Sequence, residues 1–463
     1  MNRSTTLPIL LLALAHTAFT REVVAQIARG NLVVERVGSG TGALTNAATA
    51  VFLDEYTPAG TLVQSLALPT AVAGANRRVT SSGTAASEGH LNLSADGRYL
   101  VTTGYDADVG TGSVVATTNP PVSRVVARID LSGNIDSSTA ITDAFSANNV
   151  RSAASDDGSR FWVAGANSGL RFVAIGGTTT VPINTAAPTN LRTVTIQGAQ
   201  LFISSASGSF QGVGTLGYGL PTTGGQIPAL LSGFPTASGP SPYDHWLADP
   251  TTLYVADDRT TVAGGIQKWT LVGGTWVLQY TLNPAAGVGC RGLSGYVSSG
   301  VATLFATTTL TTANQIVSVT DTGSASAFTT VATAAANTAF RGLRFIGSGS
   351  ILRRAHGCGP TTLTAAGQPV IGATLAFTLG GLTGTPYLGL GVNIFDNPFC
   401  SCTLGHEWLV ALGGSPQLVL TIPNLSSLVG GRVGFQGIDA FGSGGCSTPP
   451  LTITDTVVVS VGR

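Results

Sequence analysis

Charge is what this chain most lacks. Asp, Glu, Lys and Arg make up only 10% of its 463 residues, the two signs cancel, and Lys268 is the single lysine among 22 basic residues. A neutral chain exerts no global pull on nucleic acid or an anionic membrane, so nucleic acid is not expected as a partner. Beyond the N-terminus no segment has ~20 continuous apolar residues, so no transmembrane segment is expected in the mature chain. Runs of Ala, Leu, Glu and Lys with a 3.6-residue period are also missing, which argues against a helical architecture. Scarce charge would indicate disorder in an apolar-poor chain, but hydrophobic residues reach 43% here, enough to bury a large core.

Glycine is what the chain has most visibly. Its 61 copies, together with Ser, Thr, Asn and Asp, cut the sequence into short β-branched and aromatic runs, the pattern of strands and turns. The strongest runs recur with similar spacing: Tyr99-Leu100-Val101, Phe161-Trp162-Val163, Leu201-Phe202-Ile203, Leu253-Tyr254-Val255 and Leu304-Phe305-Ala306. Six inner-strand candidates each begin with a cationic or potentially cationic residue: His90, Arg151, Arg192, His245, Arg291 and Arg341. Repeats of roughly 40–60 residues built from short strands read as a β-propeller. The expected fold class is therefore all-β, with a propeller over 30–349. Six blades are favoured, and seven fit if 68–88 and 106–122 hold another. One blade is split across the chain, with 339–345 as its inner strand and 32–36, 51–56 and 62–67 as the other three. Such closure leaves no open sheet edge.

The ends carry other signals. Residues 1–25 read as an export signal peptide: Arg3, a short apolar stretch over 7–15 and a small-residue cleavage site at 23–25. The mature protein is accordingly expected to be secreted, extracellular or at the cell surface, the periplasm included. Four of the five cysteines lie in the last quarter: Cys358, Cys400, Cys402 and Cys446. A Cys400–Cys402 bridge would close a very tight ring, so each is expected to pair with Cys358 or Cys446, the connectivity staying open. The C-x-x-C spacing of zinc sites is missing. Cys290, within the repeats, is expected to be a buried free thiol. Residues 350–357 read as a linker. Strand candidates at 373–379, 387–392, 408–412, 418–422, 432–438 and 452–461 make 358–463 a small disulfide-bonded β-sandwich.

The segments NLVVERVGSGTGALTNAATAVFLDEYTPAGTLVQSLALP, SEGHLNLSADGRYLVTTGYDA, LYVADDRT and GGIQKWTLVGGTW occur in this order. Over 31–349 the chain thereby resembles a family of secreted bacterial β-propeller proteins of unassigned activity. From GCGPTTLTAAGQPVIGATLAFTLGG onward it resembles a C-terminal module appended to many secreted proteins of environmental bacteria. That second resemblance implies an accessory domain for surface association or sorting.

The six cationic residues would ring one mouth of the propeller channel. Like charges facing one another across a narrow channel need an anion or a water network among them. Arg also suits carboxylate, sulfate or phosphate, since its planar fork donates two parallel hydrogen bonds. The competing structural role is that each Arg bonds a carbonyl or carboxylate of the neighbouring blade, with Glu88, Asp156, Asp157 and Asp244 as local candidates. Asp106 and Asp108, in D-x-D spacing on a loop, are weak candidates for calcium, the one cofactor considered. Glu88 and His90, two apart and so on one face of a strand, are weak candidates for the base and acid of a propeller lyase or hydrolase. His406-Glu407 lacks the second His of a metalloprotease helix. The favoured expectation is a non-enzymatic binding protein for a small anion, a glycan or a surface protein. The alternatives are a lyase or hydrolase acting on an acidic substrate, or a purely structural envelope protein.

Overall fold

The computed structural model describes residues 26–463 except 198–199, 250, 299–300, 311–312, 348–349, 355–356, 368, 370–372, 401, 424–431, 443–444, 448–449 and 463. The export signal expected over 1–25 lies outside the described residues.

Antiparallel strands pair into six four-stranded blades followed by two packed sheets and a two-stranded ribbon, Ile394–Phe399 with Cys402–His406. Blade 1 is closed by the two ends of the propeller. Its inner strand Ala339–Phe345 pairs with Leu32–Val37, which pairs with Ala48–Tyr56 and then Leu62–Ala67. Blade 2 runs Asn92–Leu93, Tyr99–Tyr105, Arg124–Asp130 and Ile135–Ile141. Blade 3 holds Val150–Ala154 to Val181–Pro182, and blade 4 holds Thr193–Gln197 to Pro228–Leu230. Blade 5 holds Pro242–Asp249 to Thr275–Leu282, and blade 6 holds Cys290–Ser298 to Phe328–Thr333. The propeller therefore has six blades, and the two segments left open by the sequence do not form a seventh. The first contains the three-residue strand Thr80–Ser82, which pairs with Ala48–Ala50 of blade 1 and meets Tyr105 of blade 2. The second contains a single 3-10 turn, Val114–Ala116.

The second strand of each blade carries an apolar run because both of its faces are covered. Successive side chains point to opposite faces of a sheet, so odd and even positions pack into different interblade cores. Leu100 joins Val33 and Leu53 between blades 1 and 2, whereas Val101 and Tyr105 join Phe161 and Val163 between blades 2 and 3. Trp162 packs forward with Leu201 and Ile203, Val213 with Leu253 and Val255, and Tyr254 with Leu304 and Ala306. Phe305 completes the circuit against Leu32 and Leu343. Each fully buried Leu, Val or Phe contributes roughly 1.5–3 kcal/mol relative to exposure, so the circuit of six cores holds the ring together. Cys290 is wholly buried in the core between blades 5 and 6, and burial pushes its thiol pKa up.

Residues 350–463 form a β-sandwich. One sheet orders Ser350–Arg354, Thr456–Ser460, Arg432–Ala440, Thr385–Gly391 and Val410–Gly413, and the other Thr362–Ala366, Thr374–Gly380 and Gln417–Thr421. Phe377 from one sheet stacks on Phe435 from the other at 4.0 Å between ring centres. The segment expected to be a linker is corrected here: Ser350–Arg354 pairs along its length with Thr456–Ser460, and Ile351 is buried in the sandwich core. Disulfides join Cys358 to Cys402 and Cys400 to Cys446.

Candidate functional site: the channel mouth

A polar network at the inner strands touches every blade. Arg344 of blade 1 donates to both oxygens of Asp244 of blade 5 (2.5 and 3.1 Å), to the Leu293 carbonyl of blade 6 (2.8 Å) and to Asn92 Oδ1 of blade 2 (2.6 Å). Asn92 Nδ2 in turn donates to the carbonyls of Ala153 in blade 3 (2.8 Å) and Val194 in blade 4 (3.0 Å). Asp244 also accepts from the backbone N–H of His245 and Leu293. Burial works against its charge, but Arg344, His90 and His245 hold its pKa below the usual carboxylate range.

Tyr243, one residue before Asp244, crosses the channel. Its ring stacks on His90 of the opposite blade at 5.5 Å, with the Arg192 guanidinium at 4.3 Å and that of Arg291 at 5.8 Å. His90 is buried, and neither ring nitrogen has a hydrogen-bond partner among the described residues. Burial, opposed by Asp244 and reinforced by Arg344, Arg151 and Arg291, pushes its pKa down to about 3. The imidazole is therefore neutral at ordinary pH, with one N–H to give and one lone pair to receive.

The arginines of the ring clip blade to blade. Arg151 Nη1 donates to the Leu191 carbonyl (3.0 Å) and Asn190 Oδ1 (2.7 Å), Arg192 Nη1 to the Pro242 carbonyl (3.1 Å), and Arg341 Nη2 to the Gly83 carbonyl (2.9 Å). Nε of Arg151 and of Arg341 has no partner among the described residues. Arg291 Nε bonds Asp258 (3.2 Å), and the same carboxylate lies 3.9 Å from Arg192. Arg151 has no ion pair with a carboxylate among the described residues. Burial, and the charge of Arg192, lower its pKa, with Tyr243 and Glu88 acting the other way.

The structure brings His90, Arg151, Arg192 and Arg291 together around Tyr243, but not the whole ring. His245 turns away to Thr195 Oγ1 (2.8 Å) in blade 4, and burial pushes its pKa down to about 4. Pairing in this inner strand shifts register between Pro242 and His245. A one-residue slip exchanges the faces of a strand, so Tyr243 takes the channel position expected for His245. Arg341 is set back between blades 1 and 2, where it lies near Glu88 and Glu35.

The acid–base pair is also corrected. Glu88 accepts from Tyr105 Oη (2.5 Å), Asn149 Nδ2 (2.6 Å) and the Ser82 N–H (3.0 Å), none of them His90. The Asp106 and Asp108 carboxylates both close on Arg78, at 2.7 and 2.8 Å, so a cation there would have to displace a guanidinium. Among the structural candidates, Asp156 pairs with Arg160, and Asp157 accepts from Ser159. Among the described residues no three His, Cys, Asp or Glu side chains group to hold a metal, and no helix is long and apolar enough to cross a membrane. Sequence reasoning missed Tyr243, Asn92 and Arg344. Asn92 was discoverable as a polar residue at an inner-strand position; nothing local marked the other two.

No family profile matches the sequence, and no curated protein does either. Solved structures with a similar course include the extracellular domain of a one-component system protein from Bacteroides thetaiotaomicron, at 10% identity and TM-score 0.36. It is matched over 93% of this chain, which spans 59% of that longer domain. A protein from Bacteroides uniformis described as a candidate 6-phosphogluconolactonase matches at 12% identity and TM-score 0.39, over 87% of this chain and 99% of its own. A nidogen–laminin complex matches at 11% identity and TM-score 0.38, over 68% of this chain and 97% of the matched one. Likeness at this level carries no functional argument. The architecture rests on the strand pairing and the six interblade cores.

Proposed function

We propose that this chain is a non-enzymatic binding protein whose propeller mouth takes a small anion or the acidic group of a glycan. One observation carries the reading: the Arg192 and Arg291 guanidinium groups and the buried His90 ring gather on Tyr243, Arg151 interacts with the same tyrosine through its charge, and among the described residues Asp258 is the only carboxylate paired with these arginines. Clipping the blades accounts for one nitrogen of each of Arg151 and Arg192 and leaves Arg151 Nε unused. Carboxylate, sulfate and phosphate oxygens are the natural acceptors for such groups. With the polar network that spans all six blades as its floor, the mouth is a cup, and the proposed role is capture rather than passage. Resemblance to secreted propellers supplies the setting: capture outside the cytoplasm, with the sandwich serving surface association.

A thermal-shift titration tests the reading, because a ligand that binds only the folded state raises apparent stability by mass action. The panel is uronates, dicarboxylates, phosphate, sulfate and calcium, against the full chain and the Arg151→Gln/Arg291→Gln variant. A saturable shift with an oxyanion that disappears in a folded variant supports the proposal. No shift with any anion sinks it and leaves the arginines as blade clips.

A further inference from the structure

The charges around the cup are unequal, and the inequality has a definite size. Arg192 and Arg291 bring two positive charges over Tyr243, Arg151 adds a third that acts on both Tyr243 and Arg192, and Asp258, shared by Arg192 and Arg291, returns one negative charge. The deeper groups do not reduce this excess. Arg344 is matched by Asp244 in the network at the inner strands. Arg341 faces Glu88 and Glu35. Glu35 is wholly buried, and burial pushes its pKa up to about 7, so it carries little charge below neutrality. Arg124, buried behind Tyr105 and bonded to the carbonyls of Phe145, Val122 and Thr117, only adds to the positive side. The cup thus holds an excess of two positive charges. It also holds unpartnered donors: whichever nitrogen of the neutral His90 carries its proton, and Nε of the charged Arg151.

We infer that the mouth is matched to a doubly charged anion, a sulfate, a phosphate monoester or a compact dicarboxylate, rather than to a single carboxylate or halide. The inference rests on the proposed anion site and adds its charge class. Its physical basis is neutralisation. In a site walled by Tyr243 and buried backbone, unmatched like charges repel strongly, and a dianion relieves two of them where a monoanion relieves one. The geometry of the donors fits: Arg151 comes from blade 3, Arg192 from blade 4 and Arg291 from blade 6, so they approach from different directions. Three-sided approach suits a tetrahedral oxyanion, whose oxygens also point in different directions.

The test is calorimetric titration of the full chain with sulfate, glycerol phosphate and succinate on one side and acetate, lactate and chloride on the other, at constant ionic strength. Sulfate is expected to bind at least ten-fold more tightly than acetate. Glycerol phosphate supplies an internal control, because its second ionisation lies near pH ~6. Its affinity should rise several-fold from pH 5 to pH 7.5 relative to that of sulfate, whose own charge is fixed and which therefore reports any effect of Glu35 ionising near pH 7. His90 remains neutral over this window. Arg151→Gln, which lowers the excess by one charge, should shrink the preference of sulfate over acetate. Circular dichroism and the unfolding midpoint establish that the variant is folded. Arg291→Gln repeats the charge change at a residue with no bond to a neighbouring blade's carbonyl. If both anion classes bind equally, or glycerol phosphate shows no pH dependence, the charge inference is overturned and the anion site stands. If neither class binds at any pH, both fall.

Discussion

Asp244→Ala is the substitution to which this fold should be most sensitive. The carboxylate is wholly buried, receives two bonds from Arg344 and accepts the backbone N–H of His245 and Leu293. Removing one partner of a buried ion pair costs about 3–5 kcal/mol, because the other charge is left uncompensated. Each orphaned backbone donor adds roughly 1–3 kcal/mol if water does not reach it. These costs share one carboxylate and overlap, so the expected loss is ~4 kcal/mol or more, a large part of the 5–15 kcal/mol typical of a folded domain. The assay is urea unfolding followed by tryptophan fluorescence, since Trp162, Trp246, Trp269 and Trp276 all lie in the propeller blades. Asp244→Leu combined with Arg344→Met removes both charges and should cost much less than Asp244→Ala alone. The pH dependence has a definite sign. Asp244 has a depressed folded pKa, so its contribution is present above the unfolded value near ~3.9 and is lost as pH falls through the folded one. A loss below about 1 kcal/mol for Asp244→Ala would refute the claim that this network pins the six blades.

Other outcomes follow from the same contacts. Glu35 has a folded pKa raised to about 7 by burial, so stability should fall as pH rises from ~4.5 through 7, by up to roughly 3 kcal/mol. Glu35→Gln should flatten that slope in denaturation midpoints measured from pH 5 to 8. Leu343→Ala, at a wholly buried position in the closing strand of blade 1, should cost about 2–5 kcal/mol, read from the same urea curves. The bridges Cys358–Cys402 and Cys400–Cys446 close loops of 44 and 46 residues, each worth up to about 4 kcal/mol in the chain-entropy account. Reduction should therefore shift the unfolding of the sandwich, reported by Trp408, and leave the propeller transition in place. Equal shifts in both would contradict this.

How much could be read from the sequence differs sharply between the backbone and the cup. The split blade was legible because 32–36 and 51–56 open on short β-branched and aromatic runs of strand length, and Phe340-Arg341-Gly342-Leu343 repeats the inner-strand pattern of Cys290-Arg291-Gly292-Leu293. The tight ring between Cys400 and Cys402 excluded a bridge between them, but which of Cys358 and Cys446 each takes is set only by the fold. Side-chain direction was not legible. The register shift between Pro242 and His245 exchanges Tyr243 for His245 at the channel, and bulges of this kind leave no local signal. Asp106 and Asp108 read as a cation site because Arg78, 28 residues earlier than Asp106, reaches them only through the fold. Ser350–Arg354 read as a linker because its partner, Thr456–Ser460, lies at the far end of the chain. Arg344 is likewise 100 residues from Asp244.

The most direct measurement of the central claim is anomalous diffraction from crystals of the full chain grown with selenate, a heavy analogue of sulfate. The account predicts a selenium peak in the cup, within hydrogen-bonding reach of the Arg151 and Arg291 guanidinium groups and above His90 and Tyr243, that is absent from Arg151→Gln/Arg291→Gln crystals. Selenate found only at other positions, with the cup filled by water alone, would contradict it.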